Sequence, residues 1–302
     1  MAVFIGGRAF FSQGSEGGAM QFSPMLDLLK PAAADGYAVP SFCTWNAETM
    51  VTVLNVASDL RAPVILMNGP GEFPLLGPSE MSLIAHTLAG RYRIPVALHL
   101  DHGDSLEQVR SCLEAGYTSV MLDYSTRPYA ENAAALRRTV ELARPWGATV
   151  EGEIGHVGRA DAVTTEGGGT STLTEVAEAQ AFVAGTGVDA LAVSIGNAHG
   201  QYTRLPQLDF QRLAEIHASV SVPLVLHGSS GTPEEDLRRA ISLGIAKVNV
   251  ATELVTAVRQ SLRGQWEDGP KLWMPIQQAR AMKALAPVVE KWIRCTGAEG
   301  RA

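Results

Sequence analysis

The chain has 302 residues, 46% hydrophobic and 18% charged, the composition of an ordinary globular protein able to bury a large core as one large domain or two small ones. Its formal charge of −7, with no Lys/Arg run, argues against a nucleic-acid surface and leaves a small molecule as the default ligand. Cys43, Cys112 and Cys295 are odd in number and lack CxxC or CxxH spacing, which suggests neither a disulfide framework nor a thiolate zinc site and fits a reducing cytoplasm.

Residues 1–19 are rich in Gly and Ser and without a sustained period, so they read as a flexible extension ahead of one domain over 20–302. The start, MAVFIGGRAFF, lacks the charged and long apolar regions of a signal peptide, and no apolar run approaches the ~18 residues a bilayer span needs. A cytoplasmic protein that does not enter membranes is expected. From Ser23, FSPMLDLLKPAAADG predicts a short helix that stops at Gly36.

A series of apolar runs follows: Ala38–Cys43, Pro63–Asn68, Pro95–His102, Ser119–Tyr124, Ala148–Gly155, Ala190–Gly196, Pro223–Ser230 and Lys247–Thr252. Between them lie stretches with helical spacing, such as Leu106, Val109 and Leu113 before Gly116. Near-continuous apolar strands alternating with helices imply a parallel sheet, and eight such units in roughly 230 residues predict a closed (β/α)8 TIM barrel. A doubly wound open sheet fits less well, because the first strand is not followed by GxGxxG. Ser105 with Gln108, and Thr232 with Pro233 and Glu235, have the form of helix caps, which places the preceding strand ends at the barrel's C-terminal mouth. From Pro270 to Ile293, one or two amphipathic helices carry Trp273, Met282, Leu285 and Val289 for packing on the barrel or another subunit.

Chemistry concentrates at that mouth. His102 ends the third strand, His199 follows the sixth, and His227 ends the seventh. Three neutral imidazoles with an open fourth position describe a catalytic Zn²⁺ site that can polarise a substrate oxygen. His86 and His217 fall in helical patterns, His99 reads as a hydrogen-bonded strand residue, and His156 as a loop residue. The loops after strands seven and eight, HGSSG (His227–Gly231) and NVATE (Asn249–Glu253), have the small residues that let backbone amides approach a phosphate, with Ser230 and Thr252 as hydroxyl donors.

The motifs LHLDHG, VEGEIG, AVSIGNAHG, LVLHGSSG and KVNVATE, in this order, resemble the class II zinc-dependent ketose-bisphosphate aldolases, most closely the tagatose- and fructose-bisphosphate aldolases. The similarity runs from about Met20 to the end. It implies cleavage or formation of a ketose phosphate from dihydroxyacetone phosphate and an aldehyde, through a zinc-stabilised enediolate. On this match His102, His199 and His227 are the ligands of one catalytic Zn²⁺, with Glu153 a strand-five carboxylate near the metal or a buried structural one. A monovalent cation is allowed beside them. Asp101 becomes the general acid/base, and Gly200, Gly228, Ser229, Ser230, Asn249, Val250, Ala251 and Thr252 match the positions that bind dihydroxyacetone phosphate. A homo-oligomer, dimer or tetramer, is expected.

The departures from the family pattern fall mostly elsewhere. Cys43 stands where Asn is usual, Gly69 where Ser or Thr is common, and Thr126-Arg127 in place of His-Leu. The strand-five loop reads GRADA, so Asp161 is the only carboxylate at the place of the family's proton-transferring Glu. Thr203 and Arg204 stand where many fructose-type members have Lys. The donor half looks retained and the acceptor half altered, which keeps two alternatives open: a non-catalytic sugar-phosphate-binding subunit, or an aldolase with a diverged acceptor. Gly155 to Glu175, too rich in Gly and Thr for a regular element, is expected to act as a mobile lid.

Overall fold

The computed structural model describes residues 22–160, 171–202, 204–267 and 273–302. The sequence's apolar runs become parallel strands β1 (Val39–Cys43), β2 (Val64–Asn68), β3 (Val96–Gly103), β4 (Ser119–Leu122), β5 (Thr149–Ile154), β6 (Ala190–Val193), β7 (Leu224–Leu226) and β8 (Ile245–Val250). Each pairs with the next and β8 pairs with β1, closing the expected barrel. The helices are α1 (Met25–Asp35), α2 (Ala47–Asp59), α3 (Pro78–Ala89), α4 (Leu106–Glu114), α5 (Tyr129–Ala143), α6 (Val176–Thr186), α7 (Phe210–Ser219), α8 (Glu234–Ser242), α9 (Thr252–Glu267) and α10 (Met274–Cys295).

Several strands stop earlier than their apolar runs suggest. β6 ends at Val193 because Ile195 is buried in a turn, its N–H donating to the Asn197 side chain ahead of Gly196 at φ 105°. Gly228 likewise takes a positive φ just after β7. Thr252 opens a helix and does not close a strand. The residues freed from these strands form mouth loops.

Ser105 caps α4 as its spacing predicts, its hydroxyl accepting from the Gln108 N–H. The second expected cap does not form. Pro233 itself takes the N-cap position of α8, with an extended ψ of 141°, and moves Thr232 one residue too far out.

The two ends of the barrel differ. α1 lies at the N-terminal end against β1, β3 and β8 and is tied there by Ser23 N–H to the Val96 carbonyl and Leu26 N–H to Thr149 Oγ1. Its buried Met25, Leu28 and Leu29 close that end, which leaves the C-terminal mouth open. α10, with its fully buried Trp292 side, packs on α2 where an eighth barrel helix would lie, and α9 leans chiefly on α10. No helix among the described residues is long and apolar enough to cross a membrane.

Strand pairing fixes which side chains fill the barrel. Opposed residues share a face, and the pairs Ser41↔Asn249, Met67↔His99, His99↔Ser119, Met121↔Glu151, Glu153↔Ala192 and Val225↔Lys247 run round one interior layer after another. Four of these paired positions are ionisable: His99, Glu151, Glu153 and Lys247. All are buried.

Candidate active site

The end of β3 is bent to present two adjacent residues to one place. Alternation along a strand would turn Asp101 inward and His102 outward. Here Leu100 pairs with Val120 but Gly103 with Leu122, so β3 carries one extra residue, and His102 sits at φ 46°. A non-glycine residue in that left-handed region costs on the order of 1–3 kcal/mol and persists only where its surroundings enforce it. Gly103 makes the bulge sterically feasible, since a Cβ there would lie 2.6 Å from the Met121 carbonyl oxygen.

His102, His199 and His227 converge as expected. One ring nitrogen of each lies within 4.8 Å of one on each of the others. The opposite nitrogen of every ring is already engaged: His102 Nδ1 with Asp123 Oδ2 at 2.8 Å, His199 Nδ1 with the Val157 carbonyl at 3.1 Å, and His227 Nε2 with Glu151 Oε1 at 2.8 Å. These partners accept, so each engaged nitrogen carries a proton, and in the neutral form of each ring the other nitrogen offers its lone pair. The remaining nitrogens, His102 Nε2, His199 Nε2 and His227 Nδ1, are buried and have no hydrogen-bond partner among the described residues. Three converging unpartnered lone pairs, each on an imidazole oriented by an outer acceptor, are what a zinc centre requires.

Glu153 faces the same point. Its Oε1 accepts from the Val157 N–H, while Oε2 has no hydrogen-bond partner and lies 3.3 Å from His227 Nδ1. His156, expected as a plain loop residue, is instead buried. It holds Ser125 Oγ at 2.8 Å and stands 3.8 Å from Glu153 Oε1, because an antiparallel bridge to Thr172 folds this segment over the mouth.

A charged layer lies directly beneath. Lys247 Nζ donates to Glu151 Oε2 at 2.7 Å and stands 3.4 Å from His99 Nε2, which in turn is 3.6 Å from Asp101 Oδ1. Burial opposes charge here, but at Glu151 and Asp101 the opposing groups are close enough to override it. Lys247 and His227 bring Glu151 down to about 2. His102, His99 and Lys247 hold Asp101 well below the usual carboxylate range, so it is an anion at neutral pH. Against burial, Asp101 and Asp123 raise His102, and Glu151 and Glu153 raise His227 to about 9. Burial and its two cationic neighbours keep His199 neutral.

The phosphate-type loops stand next to this centre. Gly228, at φ 60°, lies so close to the Ala198 carbonyl that a Cβ would collide with it, which brings the two loops into backbone contact. Gly200 also takes a positive φ. Ser230 Oγ accepts from the Glu253 N–H in the first turn of α9, and the Glu253 carboxylate takes Gly231 N–H, Lys291 and Trp292 Nε1, pinning the loop to α9 and α10. Ser229 turns its hydroxyl to the Leu226 carbonyl, and the Val250 side chain is fully buried, so these two face the mouth through their backbones. Ala251 and Thr252 follow at the helix start, half-buried. Asn249 donates to Asp101 Oδ1 at 2.9 Å and keeps Oδ1 unpartnered.

Asp161 lies outside the described residues, as do Glu166 and Thr203. The lid stretch is described only at its ends, where His156 pairs with Thr172, Gly158 N–H donates to Ser171, and Ala160 N–H donates to the His199 carbonyl. Sequence reasoning assigned no role to Asp123, Glu151, Lys247 or Glu72. Alternation in VEGEIG does put Glu151 on the face of Glu153, and a lysine two residues before Asn249 in an apolar strand is the corresponding sign for Lys247.

Residues 23–301 match the family model described as fructose-bisphosphate aldolase class-II. Among solved structures, the YdjI aldolase from Escherichia coli K12 is 32% identical with a TM-score of 0.82, covering 94% of this chain and all 100% of that one. A putative fructose-1,6-biphosphate aldolase from Coccidioides immitis is 28% identical with a TM-score of 0.84, over 91% and 96% of the two chains. Fructose-bisphosphate aldolase from Campylobacter jejuni, 21% identical over 92% and 95%, shares the fold with a TM-score of 0.78.

Proposed function

Because the chain belongs to the class II fructose-bisphosphate aldolase family, we propose that it is a metal-dependent aldolase that joins dihydroxyacetone phosphate to an aldehyde, or cleaves the resulting ketose phosphate. The observation that carries this reading is the set of three buried, unpartnered histidine nitrogens beside an ionised Asp101. His102, His199 and His227 would hold one Zn²⁺, with Glu153 as a further donor. Bound there, the ion would polarise the donor's carbonyl and stabilise the negative charge that develops on its oxygen.

The chain's own residues supply the proton transfers and the positioning. In cleavage, Asp101 accepts the proton of the hydroxyl that becomes the aldehyde carbonyl while the carbon–carbon bonding pair passes to the donor carbon. In synthesis it returns that proton. Asn249 holds the carboxylate by one oxygen. Backbone N–H groups of Gly228, Ser229 and Ser230, those of Val250, Ala251 and Thr252 at the start of α9, and the hydroxyls of Ser230 and Thr252 suit the phosphate, with Gly200 beside them. Asp161 is assigned the proton exchange at the donor carbon, by its place in the sequence.

The test is zinc-loaded protein with dihydroxyacetone phosphate in D₂O, without aldehyde. Loss of one C–H signal by NMR is expected, and no exchange above the protein-free rate would reject the reading.

A further inference from the structure

Next to Asp101, on the side of β1 and β2, the mouth is acidic. After β2 a single 3-10 turn, Pro70–Glu72, brings Glu72 back over the strand end, where its Oε2 accepts the Gly69 N–H at 2.7 Å. The Cys43 thiol at the end of β1 donates to the same carboxylate, and Asp101 acts on it through space. Gly69 has no room for a side chain of its own: a Cβ would lie 2.6 Å from the Asp101 carbonyl oxygen and 3.5 Å from Glu72 Oε2. Two of the positions where this chain departs from the family pattern therefore serve one arrangement, with the Cys43 thiol and the Gly69 N–H both donating to Glu72.

Two cavities flank α9. One, of about 510 Å³, is lined by Tyr202, Arg204, Ser230, Gly231 and Thr252, on the side of the phosphate-type loops. The other, of about 720 Å³, is lined by Glu72, Trp45, Val258, Leu262, Trp266 and Arg259. The first is lined mainly by polar side chains and includes Arg204, which has no ion pair among the described residues. The second is walled by aromatic and aliphatic side chains, with the Glu72 carboxylate at its edge nearest Asp101. Of its cations, Arg263 is paired with Glu267 at 2.8 Å and only Arg259 has no ion pair among the described residues.

We propose that the cavity between Glu72 and α9 receives the aldehyde, and that it selects an uncharged, hydroxylated one over a phosphorylated one. This rests on the aldolase reading above. With the donor's phosphate on the loops of β7 and β8 and the reacting hydroxyl at Asp101, the rest of the aldehyde extends past Glu72. There a hydroxyl donates to the carboxylate, and the carbon chain lies against Trp45, whose ring face suits C–H groups. A phosphate beside Glu72 meets like charge in a partly desolvated site, where repulsion is weakly screened.

The test compares kcat/KM of zinc-loaded protein for glyceraldehyde and glyceraldehyde 3-phosphate, each with dihydroxyacetone phosphate, in wild type and in Glu72→Gln. Wild type is expected to favour glyceraldehyde by about 10-fold or more, and Glu72→Gln to move the ratio about 10-fold toward the phosphorylated aldehyde, mainly through KM. Three results overturn the proposal: a wild-type preference for the phosphorylated aldehyde, especially one abolished by Arg259→Ala; a ratio unmoved in Glu72→Gln; or donor deuterium exchange with no adduct from either aldehyde. Exchange by the wild type in D₂O separates these failures from failure of the aldolase reading, which abolishes exchange itself. Should Glu72→Gln not fold, the wild-type ratio alone decides.

Discussion

Glu151 Oε1 lies 2.8 Å from His227 Nε2, so a carboxylate buried in the barrel determines which nitrogen of that ring faces the histidine cluster. Its second oxygen is held by Lys247, which is itself fully buried. The centre is therefore built downward into the barrel as well as across its mouth, and Lys247 is the cation that makes a buried Glu151 anion tolerable.

Lys247→Met leaves Glu151 without its counter-charge and is expected to cost about 3–5 kcal/mol in folding stability. Replacing both partners, in Lys247→Met with Glu151→Leu, should recover most of that loss while zinc affinity stays low, because His227 has lost its orienting partner. Denaturant unfolding of chelator-treated protein and zinc titration separate the two effects. Recovery of full zinc affinity in the double variant would refute the orienting role.

Asp101→Asn keeps the shape of the side chain and removes its basicity. Zinc content is expected to persist, while carbon–carbon cleavage falls by a factor on the order of 10² to 10⁴. Unaltered cleavage in this variant would remove Asp101 from the proton transfer.

The pH dependence follows from His227 and His102, both raised above the ordinary histidine value, His227 to about 9. A raised pKa means that the folded chain binds protons the unfolded chain would release. This contribution to stability is complete below about pH 6.5 and is lost as pH rises through about 9. Chelator-treated protein should accordingly lose thermal stability across that window. Since zinc needs the neutral rings, loading it at pH 7 should release about two protons per ion, measurable in weakly buffered solution. Zinc uptake with no proton release would contradict the assignment.

The fold and the three histidines were legible because both depend on pattern. Eight apolar runs alternating with helical spacing specify the closed barrel, and histidines at strand ends sit on its mouth whatever the exact strand boundaries. Less legible were groups whose role depends on register. Glu151 and Lys247 come together only when β5 and β8 are placed in a closed barrel, and His102 faces Asp101's side only because β3 bulges. Glu72 was invisible for a different reason: a turn after β2 returns it to the mouth, and no period in PGEF announces that.

Asp161 is the proposed source of donor-proton exchange. Asp161→Ala should slow deuterium incorporation into dihydroxyacetone phosphate more than it weakens phosphate binding. Equal exchange rates in variant and wild type would move this role to Glu153 or Glu166.

Zinc stoichiometry tests the three-histidine centre most directly. Chelator-treated wild type, reloaded and desalted, is expected to retain one Zn²⁺ per chain by elemental analysis, and His199→Ala to retain far less than one, since the site is shaped around three converging imidazoles and loses one of them. Stoichiometric zinc in His199→Ala, with full carbon–carbon cleavage, would contradict the account.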